Sequence, residues 1–307
     1  MGSGLNLFLK RILWIRREWP YEELSSEEIQ RRIITKTRTP LIYGGKKVKF
    51  SPAGAQNKIP VLCKDGRFYL PTGSSPSNAI IKASDEFVRN EYLCTKLATL
   101  CSLSVSAMDI HDFNGTEVLL INRYDRMVED GKLIRLHQED FCQALGIMPE
   151  NKYEERGGPG LKQSIELIMN YSTNPQNDLR QFLLMAIFNF LFGNCDAHGK
   201  NFSFLYDPNL GKRHLAPFYD IICSAVDERF DTDFAMQVCH ERSLFRITRK
   251  DFESIASKIL VDRLIDELLE RFPVALSELK DQVPSEFLPL LQRIEEDSKP
   301  RQEALKR

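Results

Sequence analysis

Residues 194–203 read Asn-Cys-Asp-Ala-His-Gly-Lys-Asn-Phe-Ser, and this stretch decides the predicted fold. A strongly apolar run at residues 182–192 precedes it and predicts a buried helix. Gly193 stands where that helix would end, because glycine readily adopts the left-handed conformation of a helix terminus. The sequence therefore predicts a loop of chemically active side chains at the end of a buried helix.

The spacing within this loop is typical of a kinase catalytic loop. Asp196 and Asn201 form Asp-x-x-x-x-Asn, the spacing of the base and the metal-holding Asn. Asp220 follows in Leu-Ala-Pro-Phe-Tyr-Asp, where a kinase places a second metal-binding carboxylate. A lone Asp in a loop is usually a turn or cap residue, so the combination carries the prediction. Such a set can hold magnesium, bridge nucleotide phosphates and orient a hydroxyl nucleophile.

Composition predicts a soluble protein of one large or two smaller domains. The chain has 307 residues, 42% hydrophobic and 28% charged, with a net charge of −1. A net charge this close to zero therefore does not indicate binding to nucleic acid or membranes. The longest apolar run is too short to span a bilayer. Lys10 and Arg11 interrupt the apolar residues 5–15, which argues against a secretory signal.

The seven cysteines predict reduced thiols in a cytoplasmic protein. No two of them form Cys-x-x-Cys, and the five histidines do not lie at zinc-ligand spacing from them. Cys195 lies beside Asp196, which makes a nucleophilic role one possibility. No second cysteine and no papain-like or caspase-like context accompanies it, which favours a structural thiol.

The first part of the chain predicts a helix and a hairpin. Residues 5–19 are basic and amphipathic, which suits packing on the protein's own domain or on another subunit better than lying on a membrane or docking a partner. Ser25 and Glu28 form a capping-box pattern, which predicts a helix to about residue 34. Strands are expected at residues 48–50 and 59–63, around a glycine-bearing loop. An Asp65-Gly66 turn predicts a hairpin over residues 59–70.

The next segments resemble the nucleotide-binding half of a kinase. Residues 79–82 form an apolar strand that ends in Lys82, similar to the Val-Ala-Ile-Lys strand of kinases. A helix over residues 85–100 carries Glu91, so a Lys82–Glu91 ion pair is possible. The strand at residues 118–121 is followed by Asn122, where a two-lobed kinase links its lobes.

Helices dominate the rest of the prediction. They are expected at residues 162–171, 178–192, 250–258, 262–271 and 274–282, with Pro273 separating the last two. Residues 295–307 are polar, contain Pro300 and are expected to fray. The predicted fold class is α+β, two-lobed and kinase-like, with a mixed N-lobe containing an antiparallel sheet. The predicted divisions are residues 1–40, a helical segment; 41–125, the N-lobe; and 126–307, the helical C-lobe.

Taken together, the motifs resemble the HipA family of bacterial toxin kinases, over roughly residues 22–260. The matching stretches are collinear: residues 51–58 (Ser-Pro-Ala-Gly-Ala-Gln-Asn-Lys), 80–82, 123–126 (Arg-Tyr-Asp-Arg), 138–140, 152–154 (Lys-Tyr-Glu) with 157–160 (Gly-Gly-Pro-Gly), 194–203 and 215–220.

The resemblance implies an ATP- and Mg²⁺-dependent serine/threonine protein kinase. Asp196 would be the catalytic base, Asn201 and Asp220 would hold magnesium, and Ser51 matches the family's inhibitory autophosphorylation serine. Adenine would be read largely by backbone, so Asn122, where the best-known members have Glu, should be tolerated. The implied ATP-binding residues are Ala53, Gly54, Ala55, Gln56, Asn57, Lys58, Lys82, Asn122, Arg123, Tyr124, His198, Lys200, Asn201, Tyr219 and Asp220.

The resemblance also implies partners. Family substrates are aminoacyl-tRNA synthetases, and family antitoxins are helix-turn-helix proteins, so DNA would be contacted only through the antitoxin. About forty residues precede the kinase core here, which resembles the short HipT form, in which a separate small protein supplies the missing N-terminal domain. No membrane partner is expected.

Two other functions stay open at this stage. One is a weakly catalytic binding subunit of an antitoxin–repressor complex, although all the base and metal positions are filled. The other is a small-molecule phosphotransferase, which would share Asp-x-x-x-x-Asn and the distant Asp but not the Ser51 loop.

Overall fold

The computed structural model describes residues 20–35, 42–43, 46–47, 57–83, 87–228, 230 and 232–307. The chain divides into two compact units. Unit 1 comprises Met1–Tyr92 and Ser106–Leu136, and unit 2 comprises Leu93–Val105 and His137–Arg307. The predicted basic segment at residues 5–19 and the strand at 48–50 lie outside the described residues.

Unit 1 is built on a six-stranded antiparallel sheet in the order β1-β5-β4-β6-β8-β7. Its strands are β1 (Tyr21–Leu24), β4 (Asn57–Lys64), β5 (Arg67–Pro71), β6 (Ala79–Ala83), β7 (Met108–Phe113) and β8 (Thr116–Asn122). Unit 1 also contains two-stranded ribbons, β2 (Ile42–Tyr43) with β3 (Lys46–Lys47) and β9 (Arg126–Glu129) with β10 (Lys132–Arg135).

The two faces of this sheet bury different side chains because residues alternate along a strand. One face packs Ile59, Val61 and Ile81 against Ile29 and Ile33 of helix α1 (Ser26–Thr35). The other face packs Leu119 and Met108 against Val88, at the start of helix α2 (Val88–Leu100). The sheet is thus covered on both sides within unit 1.

Several local predictions in unit 1 are confirmed. The Ser25 hydroxyl accepts from the Glu28 N–H, 3.2 Å away, and begins α1 as the capping pattern indicates. The hairpin of β4 and β5 turns at Asp65 and Gly66, whose φ values of 50° and 76° are both positive, as a tight hairpin turn requires. β4 begins at Asn57, two residues before the predicted strand.

Unit 2 is mainly helical. Its helices are α3 (Phe141–Ala144), α4 (Leu161–Tyr171), α5 (Pro175–Phe192), α6 (Arg249–Glu253), α7 (Lys258–Gln282) and α8 (Leu288–Lys306). Its strands are β11 (Gln138–Asp140), β12 (Ser203–Tyr206) and β13 (Arg213–Leu215), which form one antiparallel sheet, and the pair β14 (Asp233–Val238) and β15 (Glu241–Ser243). Short 3-10 turns occupy Pro149–Asn151, Glu154–Arg156, Gly199–Asn201 and Ser285–Phe287.

The predicted break at Pro273 is wrong, because α7 continues through it. Its buried stripe runs from Leu268 and Phe272 to Leu276 and Leu279 without a change of face. An interior proline costs about 3 kcal/mol, whereas each fully buried Leu contributes about 1.5–3 kcal/mol. Pro273 itself is exposed. The burial of the residues before and after it outweighs the backbone hydrogen bond that the proline cannot make.

Two further helix predictions need correction. The helix expected at residues 250–258 ends at Glu253, where the Ser254 hydroxyl donates to the backbone oxygen of Asp251 at 2.6 Å and competes with the helix pattern. The tail expected to fray is instead the helix α8. Arg301 anchors it: its side chain is buried, donates to the Leu191 carbonyl at 3.1 Å and pairs with Asp297.

All seven cysteines lie in the described part of the chain, where each is a free thiol. Across the described ranges, no helix is long and apolar enough to cross a membrane.

Candidate active site

The predicted catalytic loop begins where α5 ends. Gly193 has a φ of 83°, and its N–H donates to the carbonyls of Asn189 and Phe190, so it terminates the helix as predicted. A Cβ at Gly193 would lie 2.6 Å from the Ala225 Cβ, so only glycine fits there. The loop therefore starts from a fixed point on the most buried helix of unit 2.

Amide side chains and a serine hold the first residues of the loop. Asn194 donates to the side chain of Asn189 at 3.0 Å, and its own Oδ1 accepts from the Asp196 N–H at 3.2 Å. The Cys195 N–H donates to the Ser224 hydroxyl at 2.8 Å. These bonds fix the backbone on which the Asp196 carboxylate is carried.

The Asp196 carboxylate is partly exposed and accepts one strong hydrogen bond from a tyrosine. The Tyr153 hydroxyl donates to Asp196 Oδ1 at 2.6 Å. Burial first, and then the bond to Asp196, raise the pKa of the Tyr153 phenol, which stays protonated and acts as a donor. Tyr153 also meets the His198 ring edge to face, with 5.1 Å between ring centroids.

His198 and Asn201 shape the turn after the base. The His198 N–H donates to Asn201 Oδ1 at 3.1 Å, and the Asn201 N–H donates to the His198 carbonyl at 2.9 Å. Burial lowers the pKa of His198 to about 4, against the opposing effect of Asp196. His198 is therefore a neutral side chain at physiological pH and adds no positive charge to the loop.

Lys200 is held by an ion pair within unit 2. Its Nζ lies 2.6 Å from Asp140 Oδ2, and both side chains are largely buried. Asp140 also caps α3 through the Gln143 N–H at 2.9 Å. The ATP-binding role that the resemblance implies for Lys200 stays a prediction; the structure gives this lysine a carboxylate partner.

The Phe-Tyr-Asp segment is joined to the catalytic loop. The Tyr219 hydroxyl donates to the Lys200 carbonyl at 2.8 Å and lies 2.7 Å from the Ser203 hydroxyl. Asp220 follows with a φ of 55°, in the left-handed region that few non-glycine residues adopt. Such conformations often mark functional positions, where the surrounding structure offsets the cost.

The oxygen donors of this region suit magnesium. Asn201 supplies an amide oxygen and Asp220 a carboxylate, and Mg²⁺ prefers oxygen ligands. In the described part of the chain, no group of three or more His, Cys, Asp or Glu is arranged to hold a metal ion. Mg²⁺ commonly binds one or two carboxylates together with substrate phosphates and water, so one carboxylate and one amide oxygen are a suitable set of protein ligands.

In unit 1, Lys82 forms the buried ion pair that the sequence suggested. Ile81 and Ala83 face the α1 side of the sheet, so Lys82 points to the other face. There its Nζ lies 2.5 Å from Glu91 Oε2, and the side chains are only 3% and 1% exposed. Lys58 is the register partner of Lys82 on the neighbouring strand, which brings two predicted phosphate-binding lysines side by side.

The predicted adenine-reading segment has part of its backbone already engaged. The Asn122 N–H donates to the Ala107 carbonyl at 2.8 Å, and the Arg123 N–H donates to the Asn78 carbonyl at 3.0 Å. The Arg123 side chain forms two hydrogen bonds with Asp125, at 3.0 and 2.7 Å. Backbone donation to adenine from Asn122 or Arg123 would therefore compete with bonds inside unit 1.

Some of the remaining predicted site residues lie in the described part of the chain, and others lie outside it. Ser51 and the loop residues Ala53, Gly54, Ala55 and Gln56 lie outside the described part of the chain. Asn57 and Lys58, expected in that loop, belong to strand β4.

Two residues near the base had no predicted role. Tyr153 and Asp140 stand in the quoted Lys-Tyr-Glu and Gln-Glu-Asp stretches, so their presence in shared motifs was the available signal. Their partners lie 43 and 60 residues away in sequence, beyond the reach of any local pattern.

A sheet-rich unit with a buried Lys–Glu pair and a helical unit carrying an Asp-x-x-x-x-Asn loop define a protein-kinase-like α+β fold. Residues 50–276 match the family model described as the HipA-like C-terminal domain, and the chain belongs to this family. The resemblance noted in the sequence is thereby confirmed.

Individual relatives agree with this assignment. The protein Y4mE of Sinorhizobium fredii is 36% identical over 241 residues, 75% of this chain and 57% of the relative. The serine/threonine-protein kinase toxin HipA of Shewanella oneidensis is 31% identical over 232 residues, 71% of this chain and 53% of the relative. The chain thus spans little more than half the length of these curated relatives.

A solved structure shows the same fold. The HipA chain in a complex of Shewanella oneidensis HipA, HipB and operator DNA is similar with a TM-score of 0.82 and 25% identity. The similarity covers 95% of this chain and 73% of that chain.

Proposed function

We propose that the protein is an ATP-dependent serine/threonine protein kinase that acts as the toxin of a bacterial toxin–antitoxin system. The observation that carries this proposal is the Asp196 carboxylate, held on a braced loop at the end of α5 with the Asn201 turn directly after it. Membership of the HipA-like family, and a relative that is named a serine/threonine-protein kinase toxin, support the kinase class.

The chain's own side chains divide the work as follows. Asp196 would accept a hydrogen bond from the substrate hydroxyl and orient it for attack on the γ-phosphate. Lys82, kept in place by Glu91, would contact the α and β phosphates, with Lys58 beside it. Asn201 and Asp220 would hold magnesium, which when bound neutralises charge on the phosphates.

The proposed partners follow from the relatives. The Shewanella oneidensis HipA structure contains HipB and operator DNA. We therefore propose a helix-turn-helix antitoxin for this chain, with DNA contacted only through it. The proposed substrate is an aminoacyl-tRNA synthetase, as the family resemblance implies. The proposed location is the cytoplasm, which supplies ATP.

Incubation of the purified protein with γ-labelled ATP and a bacterial lysate tests the proposal. Label on a protein of synthetase size, identified by mass spectrometry and absent with Asp196→Asn, is the expected result. Label on a small molecule would instead identify a small-molecule phosphotransferase. No transfer by the wild-type protein would favour a binding subunit of an antitoxin–repressor complex.

A further inference from the structure

Tyr153 is the side chain that fixes one oxygen of the proposed base. Its hydroxyl donates to Asp196 Oδ1 at 2.6 Å, a distance typical of a strong hydrogen bond to an ionised carboxylate. Within the described part of the chain, this is the one side-chain hydrogen bond recorded for the Asp196 carboxylate. The other oxygen, Oδ2, is left for a further donor, such as the hydroxyl of a substrate.

The segment that carries Tyr153 is itself locked onto unit 2. On one side of Tyr153, the Lys152 carbonyl accepts from the Gly199 N–H of the catalytic turn at 3.2 Å. On the other side, Glu154 Oε2 accepts from the Gln237 N–H of β14 at 2.5 Å. The two residues that flank Tyr153 are therefore held, Lys152 through its carbonyl to the catalytic turn and Glu154 through its side chain to a neighbouring strand.

The turn after Tyr153 contains Gly158 at a position too crowded for a side chain. A Cβ at Gly158 would lie 2.5 Å from the Asn151 carbonyl oxygen and 2.6 Å from that of Lys152. The Gly158 N–H donates to the Tyr153 carbonyl at 2.8 Å. The turn thus folds back on itself directly behind Tyr153, which limits how far the phenol can move from Asp196.

The ring of Tyr153 is also held in place. It meets the His198 ring edge to face, and the Lys152 Nζ lies 4.9 Å from its centroid. A phenol with a fixed ring and backbone can hold the orientation of a carboxylate, whose terminal torsion is otherwise broad. Burial raises the pKa of Tyr153, so the phenol remains a donor across the physiological range.

We propose that Tyr153 is a positioning residue for phosphoryl transfer: it holds Oδ1 of Asp196 so that Oδ2 faces the substrate hydroxyl. This inference rests on the proposed kinase function. It gives the Lys-Tyr-Glu stretch a role in the turnover step and none in nucleotide binding. Tyr153 acts through Asp196 and does not itself contact the reacting atoms.

Tyr153→Phe is the direct test, because it removes the hydroxyl and keeps the ring. Phosphate transfer from γ-labelled ATP is measured to the protein itself and to dephosphorylated casein. We expect kcat to fall about tenfold, since small misplacements of a catalytic group are costly, while the KM for ATP changes less than about twofold. Loss of folding would lower the active fraction and is checked by thermal unfolding.

Tyr171→Phe is the matched control. Its hydroxyl donates to a carboxylate in the same unit, Glu139 Oε2 at 2.9 Å, and lies 2.6 Å from the Tyr206 hydroxyl; neither partner is a residue of the catalytic loop. Removing that hydroxyl should leave kcat unchanged. A similar loss of kcat in both variants would mean that any missing tyrosine hydroxyl weakens unit 2, and the positioning role would be rejected.

A second measurement detects the contact without catalysis. The protein is labelled with 3-fluorotyrosine, and the fluorine NMR signal of Tyr153 is assigned by its loss in Tyr153→Phe. Asp196→Asn should move this signal, and Tyr171→Phe should not. An unmoved signal would overturn the proposal, as would a Tyr153→Phe enzyme as fast as the wild type or faster. If Asp196→Asn moves the signal but the wild-type protein transfers no phosphate, the proposed function is overturned, and the positioning role with it.

Discussion

Replacing Lys82 by Met should destabilise the protein far more than a surface lysine would. Lys82 and Glu91 are 3% and 1% exposed, with 2.5 Å between Nζ and Oε2. Removing the lysine leaves the Glu91 carboxylate buried without the Lys82 ammonium. Breaking a buried pair in this way costs about 3–5 kcal/mol. That is a large part of the 5–15 kcal/mol by which domains are commonly stable.

A second Lys–Glu pair provides the control. Lys280 Nζ lies 2.6 Å from Glu295 Oε2, but these side chains are 39% and 30% exposed. Solvent screens such a pair, so Lys280→Met should cost less than about 1 kcal/mol. The two pairs have the same chemistry and nearly the same distance, and they differ in burial.

Urea unfolding of nucleotide-free protein, followed by circular dichroism, measures both effects. The double variant Lys82→Met, Glu91→Leu removes both charges and should be more stable than Lys82→Met alone, because no buried charge is left unpaired. Equal losses for Lys82→Met and Lys280→Met, at equal m values, would refute the buried pair. A double variant less stable than Lys82→Met alone would refute the reasoning about desolvation.

Two further outcomes are expected. Gly158→Ala should destabilise by about 1–3 kcal/mol, because its Cβ would lie 2.5 Å from the Asn151 carbonyl oxygen, whereas Gly211→Ala, with open space around it, should be neutral in the same thermal unfolding assay. Ser51, predicted as the autophosphorylation site, should gain one phosphate in magnesium-ATP by intact mass, with none in Ser51→Ala or Asp196→Asn. That phosphate carries about −1.5 to −2 charges and should lower ATP affinity by repulsion; an unmodified Ser51 in an active enzyme would contradict the regulatory role.

Local signals in the sequence carried much of the fold prediction. Asp65-Gly66 predicted the β4–β5 hairpin, and Gly193 predicted the end of α5. The same kind of signal was present but unused at Asn114-Gly115 and Asp130-Gly131, where all four residues have positive φ and turn the β7–β8 and β9–β10 hairpins.

Other features depend on contacts that local patterns do not contain. Pro273 alone indicates a helix break, and only the burial of residues on both sides of it keeps α7 continuous. From the sequence, Arg301 is expected to be a surface charge in a polar tail. In the structure it donates a hydrogen bond to the Leu191 carbonyl. Such outcomes follow from tertiary packing, which overrides local propensity.

The candidate site also has some features that the sequence predicts and others that only the structure shows. The Asp196 loop was predicted because the spacing of Asp196 and Asn201 is characteristic of kinase catalytic loops. The Lys82–Glu91 pair was only one possibility, drawn from the likeness of residues 79–82 to a kinase strand, because its interval is short for a protein kinase. The Tyr153–Asp196 bond joins residues far apart in sequence, and nothing in either local stretch indicates the partner. Motif spacing therefore identified the chemistry, whereas the side chains that orient it required the structure.

Comparison of Asp196→Asn with Asp220→Asn tests the central claim most directly. Both variants remove one negative charge from unit 2, and each is assayed for phosphate transfer from ATP and for magnesium-dependent ATP binding by calorimetry. Asp196→Asn should abolish transfer and leave ATP binding largely intact, because the base orients the hydroxyl and does not hold the nucleotide. Asp220→Asn should weaken ATP binding as well, since it removes a magnesium ligand. Near wild-type transfer by Asp196→Asn would contradict the assignment of the base and, with it, the account of the site.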